Sequence, residues 1–213
     1  MGEKRGNIVL DLDQTIIAAI ATEDYDFHKN KRKAKGFKYH DMDGYYIVFE
    51  RPGLQKFLDY LFRHYDVTVW TAASKDYALF IIDKIILSKP GRRLKNVFFS
   101  YHCDVSSDLA KGTKDLTCLP DIFKVPGYSA KNTVILDDYD EVHKTQPGGC
   151  IVVEPFEFEA SGSEKDGFLV ELETQLHPLR EAFAKGRPIT GIVKGINRRM
   201  AEWVRGGADS QNE

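Results

Sequence analysis

Along the chain, short apolar runs alternate with longer stretches in which apolar residues recur at helical spacing. Ile8-Val9-Leu10, Val67-Thr68-Val69-Trp70, Val97-Phe98-Phe99, Thr133-Val134-Ile135-Leu136 and Cys150-Ile151-Val152-Val153 are brief and rich in β-branched side chains, and read as buried strands. Between them, Leu54, Phe57, Leu58, Leu61 and Phe62 share one helical face, with Pro52 expected in its first turn. Tyr77 to Leu87 repeats that spacing until Ser88-Lys89-Pro90-Gly91 stops it. Asp43-Gly44 before Tyr45-Tyr46-Ile47-Val48-Phe49 predicts a turn entering a strand, which with Phe37-Lys38-Tyr39 forms a small β insertion. The polar residues 22–38 read as a solvated loop, 102–130 as the least regular segment, and Glu157 to Asp166 as an exposed acidic connection. Phe168, Leu169, Leu172, Leu176 and Leu179 predict one further helix, and Ile189 to Val204 a last one. Strands alternating with helices point to an α/β fold with a central, mostly parallel sheet flanked by helices.

Three of the strands end in unusual chemistry. The first runs into Asp11-Leu12-Asp13, the second into Thr71, and the fourth into Asp137-Asp138. Side chains alternate along an extended chain, so Asp11 and Asp13 face the same side if the strand geometry persists. Two carboxylates that close repel each other and are tolerable when a cation lies between them or one holds a proton. A bare D-x-D also reads as an exposed acidic turn. However, ligands of open parallel sheets bind outside the carboxyl ends of the strands, so three such ends would converge on one site.

Composition narrows the function classes. A chain of 213 residues with 42% hydrophobic and 29% charged residues fits one globular domain, here expected over 1–204 with a β insert at about 22–50 and a flexible tail over 205–213. A net charge of -2 exerts no general pull on nucleic acid or an anionic membrane. Cys103, Cys118 and Cys150 lack metal-ligand spacing and suit reduced thiols, so a soluble protein of the cytoplasm or nucleus is expected. No stretch has the pattern of a signal core or a membrane span. The basic run around Lys31, Arg32 and Lys33 reads as a solvated surface, a phosphopeptide-steering patch or a nuclear-import patch.

The residues Asp11-Leu12-Asp13-Gln14-Thr15, Glu50-Arg51-Pro52-Gly53, Trp70-Thr71-Ala72-Ala73, Lys114-Asp115-Leu116 and Ile135-Leu136-Asp137-Asp138 resemble the haloacid dehalogenase superfamily of aspartate-nucleophile phosphatases. Within it the chain looks like the C-terminal-domain, or NLI-interacting-factor, branch that acts on phosphoserine and phosphothreonine. The resemblance implies a Rossmann-like fold without a large cap, Mg2+ as cofactor, and a phosphoprotein or phosphopeptide as substrate. RNA polymerase II C-terminal-domain repeats are the family's type of target. It also implies roles. Asp11 is the nucleophile and Asp13 the acid and base, while Thr71 and Lys114 bind phosphate. Asp11, the backbone carbonyl of Asp13, and Asp138 hold the metal, with Asp137 acting behind them or through water. Lys111 is the alternative lysine, and Arg51 is as easily a surface ion pair as a site residue. Gln14 stands where many relatives have glutamate, and Asp138 where this branch often has asparagine. Two rivals are a phosphatase for small molecules or polynucleotide ends, and a non-catalytic binding module such as the mitochondrial presequence receptor.

Overall fold

The computed structural model describes residues 5–209. In chain order it comprises β1 (Asn7–Leu10), β2 (Ile17–Ala21), α1 (Phe27–Ala34), β3 (Tyr39–Met42), β4 (Tyr46–Glu50), α2 (Leu54–His64) and β5 (Asp66–Trp70). There follow α3 (Lys75–Ile81) with a π-helical turn at Ile82–Ile86, β6 (Val97–Phe98), α4 (Ser100–Leu109), α5 (Cys118–Asp121), β7 (Thr133–Asp137), α6 (Asp140–Thr145) and β8 (Cys150–Val152). A 3-10 turn at Ser163–Lys165 precedes α7 (Phe168–Gln175), α8 (His177–Lys185) and α9 (Thr190–Asp209). No helix among the described residues is long and apolar enough to cross a membrane.

The main sheet has the order β6-β5-β1-β7-β8, and every pairing is parallel. β1 is its centre, with Leu10 level with Val69 of β5 and with Leu136 of β7. Because side chains alternate, each strand feeds both faces. Ile8, Leu10, Val67, Val69, Val134 and Leu136 join the core beneath α2, α7, α8 and α9, whereas Val9, Trp70, Ile135 and Cys150 pack with Phe98, Cys103, Leu119 and Val142. The chain leaves β1 toward β5 and later returns to its other side at β7, which makes the carboxyl end of β1 the topological switch point.

The second, antiparallel sheet has the order β2-β4-β3 and begins earlier than expected, at Ile17. Its hairpin connects the paired Met42 and Tyr46 through three residues, with Asp43 and Gly44 both left-handed (φ 50° and 77°) in a turn closed by Tyr45 N–H to Met42 O. Behind it lies an aromatic cluster in which Phe49 stacks on Phe158 with centroids 3.7 Å apart.

Several expectations are corrected. The polar segment 22–38 contains α1, because the Asp26 side chain caps it by accepting from the His28 and Lys29 N–H groups. Pro52 lies outside α2, in a turn closed by Leu54 N–H to Arg51 O, and Gly53 at φ 80° supplies the left-handed corner. Residues 102–130 hold α4 and α5; α4 buries only Cys103 and Ser106 and therefore shows little apolar periodicity. Glu157 to Asp166 is no free connection, since Phe158 and Ser163 are buried there. The helix expected across Phe168 to Leu179 is two, α7 and α8, with Pro178 in the first turn of the second. Finally, α9 continues through Gly206 and Gly207 to Asp209, where a tail was expected; residues 210–213 lie outside the described chain.

Candidate active site

The carboxyl ends of β5, β1 and β7 deliver their polar residues to one cavity of about 350 Å³, lined by Asp11, Asp13, Gln14, Thr71, Lys114, Asp138 and neighbouring residues. Asp11 continues the strand, since its N–H donates to Leu136 O. The chain then turns back on itself at Gln14 (φ 57°), and Ile16 N–H reaches Leu12 O, so Asp13 projects at the cavity mouth, half-buried. Gln14 stays exposed on the rim. At the end of β5, Thr71 Oγ1 accepts from Ala73 N–H at 3.0 Å, which leaves its own O–H available to donate into the cavity.

Lys114 enters from the loop before α5, with its backbone left-handed (φ 52°) and its side chain buried. Its Nζ donates to Asp11 Oδ1 at 2.6 Å and to Asp137 Oδ2 at 2.8 Å. Lys111 is exposed and does not line the cavity. Asp137 also accepts from Tyr139 N–H at 2.9 Å, so both its oxygens are engaged. Asp138 accepts from the Thr15 hydroxyl at 2.9 Å.

Electrostatically the site is short of positive charge. Burial, opposed by Tyr77 and aided by Asp11, pushes the Asp13 carboxyl up to about 6. Burial and Asp11 push Asp137 up to about 7 despite Lys114. Asp138 is raised by burial and by Asp11. Lys114 is raised too; burial disfavours its charge, but Asp11 and Asp137 outweigh it. Ligand oxygens of Asp11, Asp137 and Asp138 come within 4.8 Å of one another. A cluster of hard carboxylate oxygens carrying more negative charge than one ammonium balances fits a hard divalent cation.

Three residues here were not assigned roles from sequence. The Tyr77 hydroxyl donates to Asp13 Oδ1 at 2.5 Å, although its place in an apolar helical repeat reads as core. Thr15 steadies Asp138, and its position within the first motif was the available signal. Arg51 is buried, not a surface ion pair: it binds Asp166 at 2.9 Å, the Thr15 carbonyl at 3.0 Å and the Glu154 carbonyl at 2.8 Å. The basic residues lie apart from the cavity lining. Lys31 and Arg32 are exposed on α1, while Lys33 Nζ donates to Ala160 O and lies over the Phe158 ring.

The chain is similar to several known proteins. The CTD phosphatase-like protein 355R of Invertebrate iridescent virus 6 is 43% identical over 176 residues, covering 80% of this chain and 97% of its own. The protein of the same name from Invertebrate iridescent virus 3 is 38% identical over 187 residues, covering 83% and 98%. Among solved structures, Fcp1, an essential RNA polymerase II CTD phosphatase, superposes with a TM-score of 0.52 at 24% identity; the match covers 91% of this chain but 53% of that one. Fission yeast Fcp1-R271A bound to beryllium fluoride superposes with a TM-score of 0.51 at 20% identity, covering 99% of this chain and 66% of that one. These two likenesses show that the chain shares the α/β fold of Fcp1. The family description "NLI interacting factor-like phosphatase" matches residues 7–186, and with the viral relatives it places the chain in that phosphatase family.

Proposed function

We propose that this protein is a magnesium-dependent phosphatase that removes phosphate from phosphoserine or phosphothreonine in proteins through an aspartyl-phosphate intermediate. The observation that carries the reading is the meeting of Asp11, Asp13, Thr71, Lys114 and Asp138 around one cavity at the switch point of the sheet.

The substrate is a dianion approaching a carboxylate, so its charge must be balanced and the attacking oxygen aimed. The Thr71 hydroxyl and the Lys114 ammonium bind phosphoryl oxygens. Asp11 attacks phosphorus while the bond to the seryl or threonyl oxygen breaks, and protonated Asp13 gives that oxygen its proton. Water, deprotonated by Asp13, then attacks the phosphorus of the aspartyl-phosphate, releasing inorganic phosphate and restoring Asp11. An Asp13 carboxyl held near 6 is suited to both transfers. Asp11, the Asp13 carbonyl and Asp138 would hold the magnesium ion, with Asp137 behind them fixing Lys114. When bound, the ion would supply positive charge that offsets the repulsion of carboxylate and phosphate.

Protein substrates are favoured by the relatives named for their likeness to CTD phosphatases, and a polymerase-tail type of repeat is the leading peptide candidate. The three free, buried thiols suit a reducing compartment, nuclear or cytoplasmic. The test is hydrolysis of p-nitrophenyl phosphate with magnesium and with chelator, followed by a panel of phosphopeptides, nucleotides and 3′-phosphorylated DNA. Asp11→Asn is expected to lose at least about 10⁴-fold in turnover. Near wild-type turnover by that variant would remove Asp11 as nucleophile, and preference for nucleotides would replace the substrate class.

A further inference from the structure

Tyr77 stands where an apolar helical repeat makes a core residue, yet it is tied to the chemistry. It lies on the first turn of α3, whose cap residue Ser74 accepts from the Tyr77 N–H. Its hydroxyl donates to Asp13 Oδ1 at 2.5 Å. The ring is braced from the other side by Tyr46 of β4, edge to face, with centroids 5.4 Å apart and planes at 81°. Tyr77 does not itself line the cavity, so whatever it contributes to catalysis passes through Asp13. A carboxyl group free to rotate presents either oxygen to the substrate. One whose Oδ1 is held by a braced phenol presents Oδ2.

We propose that Tyr77 is a positioning residue: by holding Asp13 through Oδ1, it makes Oδ2 the oxygen that hands a proton to the departing alkoxide and takes one from the attacking water. The inference rests on the reading of Asp13 as acid and base given above. It extends that reading by joining the small β insert to the acid through Tyr46 and Tyr77. Proton transfer in the transition state depends steeply on geometry, so losing the restraint weakens catalysis most where the leaving group most needs a proton.

Tyr77→Phe keeps the ring against Tyr46 and removes only the hydroxyl. The measurement is kcat/KM, in magnesium, for a series of aryl phosphates from dinitrophenyl to phenyl phosphate, together with a phosphoserine peptide. Dinitrophenyl phosphate, whose leaving group departs without a proton, is expected to lose least. Phenyl phosphate and the peptide should lose about ten-fold more, steepening the dependence on leaving-group basicity. In an Asp13→Asn background Tyr77→Phe should add no further steepening, because the carboxyl it positions is gone. Tyr46→Leu, which removes the brace and keeps the hydroxyl, should steepen the series less but in the same sense.

A uniform loss across the series, wild-type behaviour of Tyr77→Phe, or equal losses with and without Asp13 would overturn the proposal and leave Tyr77 a packing residue. Those outcomes are separable from failure of the catalytic reading. If Asp11→Asn abolishes hydrolysis and Asp13→Asn steepens the series, the mechanism stands and the Tyr77 inference alone falls. If the wild-type protein shows no Asp11-dependent hydrolysis, both fall.

Discussion

Lys114 Nζ lies 2.6 Å from Asp11 Oδ1, so the carboxylate at the end of β1 already has a buried ammonium as partner before any substrate arrives. The same nitrogen reaches Asp137 Oδ2 at 2.8 Å, and the three groups form a closed, largely dehydrated cluster. Such a cluster is expensive to dehydrate, and removing one member costs more than the net worth of the intact set.

Lys114→Met should therefore destabilise the protein by about 3–5 kcal/mol in chelator, because Asp11 and Asp137 are left facing each other without a cation. Urea unfolding at neutral pH measures this. Adding Asp137→Asn to Lys114→Met should recover part of the loss, since one of the stranded charges is then removed. An unfolding midpoint unchanged in Lys114→Met would mean the cluster contributes nothing to stability.

Proton linkage gives a second test, and its sign is opposite to that of an ordinary ion-paired carboxylate. Asp13 is raised from 3.8 to about 6 and Asp137 to about 7, so the metal-free native state binds protons that the unfolded chain has released. Stability from these groups is present below pH 3.8 and is lost as pH rises through 6 to 7. Comparing wild type with Asp13→Asn in chelator isolates this slope. The wild type should lose more stability than the variant between pH 4 and pH 7. Magnesium should stabilise the wild type more at the upper end of that range, where the carboxylates are ionised. A magnesium effect equal at both ends would argue against carboxylate ligation.

How much of this was readable in the sequence depends on whether a residue's role is local. The strand cores around Ile8, Val69 and Ile135 show as short β-branched runs, and their polar ends mark Asp11, Thr71 and Asp137 directly. Lys114 over Lys111 was legible only through the family motif, because spacing cannot reveal which lysine the left-handed turn carries inward. Tyr77 packs against the core as its place in the repeat predicts, but its bond to Asp13 and the burial of Arg51 against the Thr15 carbonyl arise from tertiary packing and leave no local signal. α4 buries so few apolar residues that periodicity carries no signal for it.

The basic helix tests substrate charge. Lys31 and Arg32 are exposed on α1, whereas Lys33 is occupied with the Ala160 carbonyl and the Phe158 ring. Only the first two are free to act at a distance, and exposed charges are screened within about 10 Å at 0.1 M salt. Reversing Lys31 and Arg32 to glutamate should raise KM for an acidic phosphopeptide a few-fold at low salt and leave p-nitrophenyl phosphate unaffected. Equal changes for both substrates, or a change that persists at high salt, would rule out steering.

Arg51 offers the sharpest separation of structure from chemistry. Its guanidinium is 1% exposed and donates to Asp166, to Glu154 O and to Thr15 O, while Phe168 packs on its face at 4.6 Å. Through Thr15, whose hydroxyl holds Asp138 at 2.9 Å, it reaches the acid cluster without touching it. A lysine carries the charge but cannot match the fork geometry or the stacking, so two carbonyls and a carboxylate would lose donors. Arg51→Lys should cost about 2–4 kcal/mol in urea unfolding, as loss of a buried hydrogen-bonded charge network does. If Arg51 also steadies Asp138 through Thr15, the variant's half-saturating magnesium concentration should rise several-fold, with turnover at saturating metal largely kept. A stability loss with unchanged magnesium dependence would confine Arg51 to joining β2, β4 and the segment before α7. Lost turnover at saturating magnesium in a folded variant would instead make it part of the phosphate site, which its burial away from the cavity lining argues against.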